Sequence, residues 1–244
     1  NPTVPTTEMD TVYNDSEGPY IQTFIFENTH LMIGFLHKEK TSASMASTLD
    51  HLQEMLGADY QKLFSLILTD RGSEFEKHDL FEINHETGEI RTDIFYCDPQ
   101  QPSQKPHVEN NHNYVRDIIP NGKNLGTLTQ DSLDLVFSHI NSVPRESLNG
   151  KTPYEAFSFF YGEDLLTILH VTKIDKDAVL RSGMKIPEQY LDEETLSKLV
   201  SEHYSRLVLN LDTEYEGEST EVITLRHIGA QCTGHTPIIS GPME

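Results

Sequence analysis

Three carboxylates stand in contexts from which they could converge on one centre. Asp10 lies in the branched and aromatic run E-M-D-T-V-Y, Asp70 closes L-F-S-L-I-L-T-D, and Glu109 opens V-E-N-N-H-N-Y-V-R-D-I-I. Magnesium and similar hard cations prefer carboxylate oxygens. Two such ions, about 3.5–4 Å apart, activate an attacking oxygen and stabilise a leaving one in phosphoryl displacement. Taken singly, each residue has a plainer explanation: an acid at a strand end caps a turn, and one in a first helical turn complements the helix dipole. Other chemistries fit less well. His107 and His112 are five residues apart where a zinc-protease helix needs four, and Glu109 does not adjoin the first histidine. The sequence has neither a phosphate-cradling glycine-rich loop nor a defensible Ser-His-Asp set. Glu74, in G-S-E-F, is either an outer carboxylate beside a metal or a solvated loop residue, and its polar surroundings favour the second.

The elements that must hold these residues follow from pattern. Residues 10 to 37 contain three short runs rich in aromatic and branched side chains, separated by D-S-E-G-P and N-T-H, which predicts three antiparallel strands. Met45, Leu49, Leu52 and Leu56 recur at helical spacing between a Thr41 or Ser42 cap and Gly57, which predicts a helix over about 42–56. The almost continuous apolar run at 63–70 reads as a strand buried on both faces that delivers Asp70 to its end. Residues 71–93 read as polar loop, and I-F-Y-C-D-P at 94–99 as a short strand stopped by Pro99. Val108, Val115 and Ile119 share a helical face before Pro120. Another helix begins near Thr129, and a third begins at Thr152-Pro153, a cap followed by proline at the first helical position. Strands, helix, strands, helices in that order give a mixed α/β layer fold.

Composition limits the alternatives. The 244 residues suffice for a real core, and no apolar run is long enough to span a bilayer. No secretion signal is present, which leaves a cytoplasmic protein as the expectation. Cys97 and Cys232 form no paired motif and read as free thiols. The 39 acidic against 18 basic residues give a net charge of −21, which opposes a polyanion at long range.

Several stretches in order resemble the motifs of the insertion sequence 30 family of bacterial transposases. They are E-M-D-T-V, I-L-T-D-R-G-S-E-F, F-Y-C-D-P and Q-K-P-H-V-E-N-N-H, followed by I-P-N-G, T-Q-D-S-L, H-I-N-S and L-N-G-K-T-P-Y-E-A-F. The resemblance runs over roughly residues 6–185. It implies an RNase H-like fold, a mixed five-stranded sheet flanked by helices, and a DDE transposase that cleaves and joins DNA at insertion-sequence ends without a covalent protein–DNA intermediate. It maps the catalytic triad onto Asp10, Asp70 and Glu109. Asp10 would bridge two Mg²⁺ or Mn²⁺ ions, with Asp70 on one ion and Glu109 on the other. The implied partners are transposon-end and target DNA and further copies of the chain, in the bacterial cytoplasm and associated with the nucleoid. A basic N-terminal helix-turn-helix region is expected outside this chain.

The resemblance also divides the chain into an integrase-type core at 1–162, a family-like extension at 163–190 and an acidic, partly disordered segment at 191–244. It assigns Arg116, nearly two helical turns beyond Glu109, to a DNA phosphate; an intrahelical partner for Glu109 or Asn113 is the plain alternative. Asn110 and Asn113 either contact DNA or cap and solvate the helix. Two positions depart from the family. Arg71 stands where the family has Asn, and either pairs with Asp70 or touches phosphate. Pro106, His107 and Val108 replace small residues before Glu109. These departures and the net charge motivate a rival reading as a catalytically degenerate descendant that acts as a DNA- or protein-binding module. A second rival is an RNase H-like nuclease with another substrate.

Overall fold

Strand β1 (Thr6–Tyr13) runs through the middle of a five-stranded sheet, and its neighbours on the two sides differ in direction. The computed structural model describes residues 4–98, 112–116, 118–119, 125–126, 128–176 and 179. On one side β1 pairs antiparallel with β2 (Tyr20–Phe26), which pairs antiparallel with β3 (Met32–His37). On the other it pairs parallel with β4 (Leu66–Thr69), which pairs parallel with β5 (Asp93–Tyr96). The order β3-β2-β1-β4-β5, with β2 alone reversed, is the mixed RNase H-like sheet that the sequence led us to expect. The described residues up to Gly126, and from Leu133 onward, belong to one compact unit. Among the described residues, no helix is long and apolar enough to cross a membrane.

The parallel crossover from β3 to β4 is made by α1 (Ser42–Leu56), whose bounds match the expected helix. Thr41 caps it, accepting from Ser44 N, and Met45, Leu49, Leu52 and Leu56 bury against one sheet face. That face carries Met9, Phe24, Ile33 and Ile67, contributed alternately along the strands. The expected strand at 63–70 begins three residues late. Tyr60, Leu63 and Phe64 fall at i, i+3 and i+4 and bury as α2 (Tyr60–Phe64), with the Tyr60 and Phe64 rings stacked at 5.2 Å. Residues 71–93 also hold more structure than a loop. Here α3 (His78–Glu82) and an Ile83–Ile90 bridge form around Arg91, which is 1% exposed. Arg91 donates Nε to the Phe81 carbonyl and Nη2 to that of Leu80, so it fills the open carbonyls at the end of α3, and Nη1 reaches Asp50 on α1.

On the opposite sheet face lies α4 (Gln130–Asn141), beginning close to the expected Thr129. A Cβ on Gly34 would come within 2.2 Å of the Phe137 ring, so only glycine lets α4 sit this near β3. Asn141 closes the edge of β3. Its side-chain amide accepts from Met32 N and donates to Met32 O at 2.9 and 2.7 Å, standing in for a sixth strand. Helix α5 (Pro153–Tyr161) starts with the expected Thr152 cap and proline, completed by Glu155 as a capping box, and α6 (Glu163–Ile168) follows. Cys97 is buried; Cys232 lies outside the described residues.

A buried polar knot fastens α1 to the sheet. His37 Nε2 lies 3.0 Å from both Gln22 Oε1 and Thr48 Oγ1, and Nδ1 lies 2.8 Å from Ser44 Oγ. Because Gln22 Oε1 only accepts, Nε2 carries the proton and Nδ1 accepts from Ser44, which describes a neutral ring. Burial lowers the His37 pKa below its ordinary 6.5. The native state therefore resists a proton that the unfolded chain accepts. The contribution is intact above about pH 6.5 and is lost as pH falls from there through the native pKa. Urea unfolding at pH 7.5 and 5.5 should show a larger acid-side loss for the wild type than for His37→Gln. Equal losses in the two proteins would exclude the histidine as the cause.

Candidate active site

The register across the sheet decides where the carboxylates go. Thr6, Thr7 and Glu8 of β1 pair with Leu66, Ile67 and Leu68 of β4, and the same register carried two residues further sets Asp10 beside Asp70, which directly follows β4. Side chains alternate along a strand, so Asp10, next to Met9 of the core under α1, projects from the α4 side. Asp10 also pairs with Thr23, and Thr23 with Gly34. One transverse row therefore reads Gly34, Thr23, Asp10, and Asp70 continues it where the β1–β4 register is extended past Glu8–Leu68. Both aspartates are half-buried, which leaves them accessible from that face. Asp10 Oδ1 accepts from Thr11 N at 2.7 Å, and Asp70 Oδ1 accepts from Gly72 N at 2.9 Å.

Glu109 and Asn110 lie outside the described residues, but the chain that follows them is anchored to this row. Residues 112–116 are helical, and His112 Nε2 lies 3.2 Å from Thr23 Oγ1, which itself donates to the Asp10 carbonyl at 3.3 Å. Glu109 thus precedes by three residues a side chain in contact with the neighbour of Asp10. Two further contacts fix the segment. Arg116 donates Nη1 to Asn14 Oδ1 and Nη2 to the Tyr13 carbonyl at 3.1 Å, which ties it to the end of β1. Arg145 stacks on the Tyr114 ring, with its guanidinium 3.4 Å from the centroid, and donates to the Ile140 carbonyl. Burial pushes the pKa values of both guanidinium groups down, with Tyr114 opposing the shift at Arg145. Asn113 is exposed.

The two residues singled out beside Asp70 behave differently from each other. Arg71 is exposed and lies 5.9 Å over the Tyr96 ring on β5. Glu74 corrects the sequence reading: it is 4% exposed, not solvated, and Oε1 pairs with Lys40 Nζ at 3.1 Å. Lys40 precedes α1 and also sits 4.6 Å above the Tyr13 ring. Burial works against its charge, but the hydrogen bond and charge of Glu74, with Tyr13 and Asp70, raise its pKa overall. No sequence signal marked Lys40, because its partner is reached only when the loop after β4 folds back on the start of α1. Elsewhere, His78, Asp79 and Glu82 on α3 bring ligand atoms within 4.8 Å of one another, but Glu82 Oε1 already accepts from Ile94 N.

Similarity to known proteins points the same way as this geometry. The chain is 30% identical over 140 residues to transposase InsI of insertion sequence element IS30C from Escherichia coli K12, an alignment covering 57% of this chain and 34% of that one. Over these residues the chain is similar to transposases of insertion sequence 30 elements. The transposase of insertion sequence element IS1086 from Cupriavidus metallidurans is 29% identical over 116 residues, covering 48% of this chain and 33% of its own length. The chain thus spans about a third of the length of these relatives. No family model matches the chain. Among solved structures, the catalytic core domain of BIV integrase aligns with a TM-score of 0.45 and 20% identity, over 66% of this chain and 96% of that domain.

The anchoring of residues 112–116 is testable without a substrate. Arg116→Ala removes both bonds to the end of β1, each worth about 1 kcal/mol or more. Amide hydrogen exchange across 112–116 should accelerate by about tenfold or more, while α1 stays unchanged. Unaltered exchange at 112–116 would show that Arg116 does not hold the segment.

Proposed function

We propose that this chain carries the catalytic core of a DDE transposase, within residues 1–162, that cleaves and joins DNA strands at insertion-sequence ends. The observation that supports it most is the β1–β4 register, which, carried two residues past Glu8–Leu68, sets Asp10 beside Asp70. Asp10, Asp70 and Glu109 are the proposed metal ligands. Their carboxylate oxygens are the hard donors that Mg²⁺ or Mn²⁺ takes, and the donor set in this row contains no soft ligand. Two divalent ions bound there would supply Lewis-acid activation of the attacking and leaving oxygens.

The chain's own residues do the rest. Asp10 is held by a strand paired on both sides and Asp70 by its bond to Gly72 N, so neither carboxylate must be ordered when DNA arrives. Water or a DNA 3′-hydroxyl would attack in line, and no nucleophilic side chain is required. Arg71 and Asn113, both exposed, and Asn110 are proposed DNA contacts. Arg116 joins them only if its bonds to Asn14 and Tyr13 still leave an edge toward phosphate. The further proposals are assembly of several copies, so that paired ends meet paired sites, and action at the nucleoid in a bacterial cytoplasm. Their support is the similarity to insertion-sequence transposases.

The test is nicking and strand transfer on duplexes carrying the element's terminal repeat. Activity should require Mn²⁺ or Mg²⁺, disappear in excess EDTA, and fall by more than about 100-fold in Asp70→Asn and in Glu109→Gln. Removing an outer partner of a metal site alone costs up to about that much. Equal activity in the wild type and both variants would sink the assignment.

A further inference from the structure

The loop after β4 contains a feature that the three-carboxylate reading leaves unused. Glu74 is a buried carboxylate with one oxygen engaged: Oε1 pairs with Lys40, while Oε2 is inaccessible to solvent and has no hydrogen-bond partner among the described residues. Leaving such an oxygen without a donor destabilises the fold, because its lost hydration is not replaced. A partner for Lys40 alone would need one oxygen, and an exposed one would serve.

The idle oxygen has a definite direction. At the position a Cβ would occupy on Gly72, Glu74 Oε2 is 2.6 Å away and Asp70 Oδ1 is 3.1 Å away. Both carboxylates therefore come close to the side of Gly72 where a side chain would stand, and any larger residue at 72 would collide with Glu74. Several contacts hold the loop: Asp70 Oδ1 accepts from Gly72 N, Phe75 N donates to Gly72 O at 2.8 Å, and Ser42 Oγ donates to Ser73 O at 3.3 Å. Phe75, next in the chain, is 1% exposed and packs edge-on to Phe81 in the core.

Lys40 makes a second carboxylate tolerable beside Asp70. Its ammonium neutralises Glu74 without occupying Oε2, so the pair adds an acceptor but no net charge. Mg²⁺ dehydrates reluctantly and keeps several waters when carboxylates bind it, and metal-bound water is a strong, polarised donor. A donor of that kind, arriving from the Asp70 side, is what Oε2 lacks.

We propose that Glu74 is a positioning residue for the divalent ion at Asp70: it accepts a hydrogen bond from that ion's bound water through Oε2, while Lys40 balances its charge. The inference rests on the metal-dependent reading of Asp10 and Asp70 given above. It adds a fourth carboxylate that does not itself ligate the ion.

The test is Mn²⁺ binding to the full chain, read from the electron paramagnetic resonance of free Mn²⁺, in the wild type, Glu74→Gln, Lys40→Met and Asp70→Asn. Glu76→Gln serves as a control for an exposed charge nearby. Glu74→Gln should weaken binding by about tenfold or more. Lys40→Met should bind at least as tightly as the wild type, because it removes a cation from beside the ion. Glu76→Gln should stay within about twofold of the wild type. If Asp70→Asn binds as well as the wild type, the metal-dependent reading itself fails. If Asp70→Asn loses binding while Glu74→Gln keeps it, only the role of Glu74 is overturned. Weaker binding in Lys40→Met also overturns it, since that is the result expected of a purely structural Lys40–Glu74 tether. Should Glu74→Gln not fold, the sign of the Lys40→Met change decides.

Discussion

The parallel pairing of β1 with β4 is the constraint on which the rest of this molecule depends. Strands six and sixty-six residues into the chain must meet with Thr6 opposite Leu66, and a slip of one residue would send Asp10 to the α1 face. The register is enforced by burial rather than by the carboxylates. Met9, Ile67 and Phe24 belong to one core layer beneath α1 and α2, and none is exposed to solvent. The hydrophobic face of the sheet thus chooses which side the acids occupy, and the site sits on the side that remains.

Small residues carry the close contacts on that side. Gly34 lets Phe137 of α4 approach β3, Thr23 offers a small hydroxyl to His112, and the two aspartates come next in the same row. The helical segment at 112–116 enters the row at Thr23 and is held by Arg116 on one side and by the Arg145–Tyr114 stack on the other. Of the cations near the acids, Lys40 is bound to Glu74 and Arg116 to Asn14, while Arg71, next to Asp70, is exposed. With a net charge of −21 over the whole chain, approach of a polyanion to this face depends on such local cations and on bound metal rather than on long-range attraction.

Much of the scaffold was legible in the sequence because its signals are local. The helix at Ser42–Leu56 announces itself by period, cap and terminal glycine, and the Thr152-Pro153 start of α5 by its capping box. The sheet's three antiparallel strands follow from their turns. What local pattern could not carry was tertiary. Leu63 and Phe64 looked like strand because an apolar run has no period of its own, and stacking on Tyr60 made them helix. The short α3 depends on Arg91, ten residues beyond the carbonyl it fills. Glu74 looked solvated because its neighbours are polar, and only the return of the loop onto Lys40 buries it. The meeting of β1 with β4 is a pairing sixty residues apart, which no local spacing carries.

The most direct test of the account is anomalous diffraction from crystals of the chain equilibrated with Mn²⁺. The account expects an ion on the α4 face of the sheet, with carboxylate oxygens of both Asp10 and Asp70 about 2.0–2.2 Å away, as a hard octahedral cation requires. An ion found only at His78, Asp79 and Glu82, or Asp10 and Asp70 bound to no common ion at saturating Mn²⁺, would contradict it.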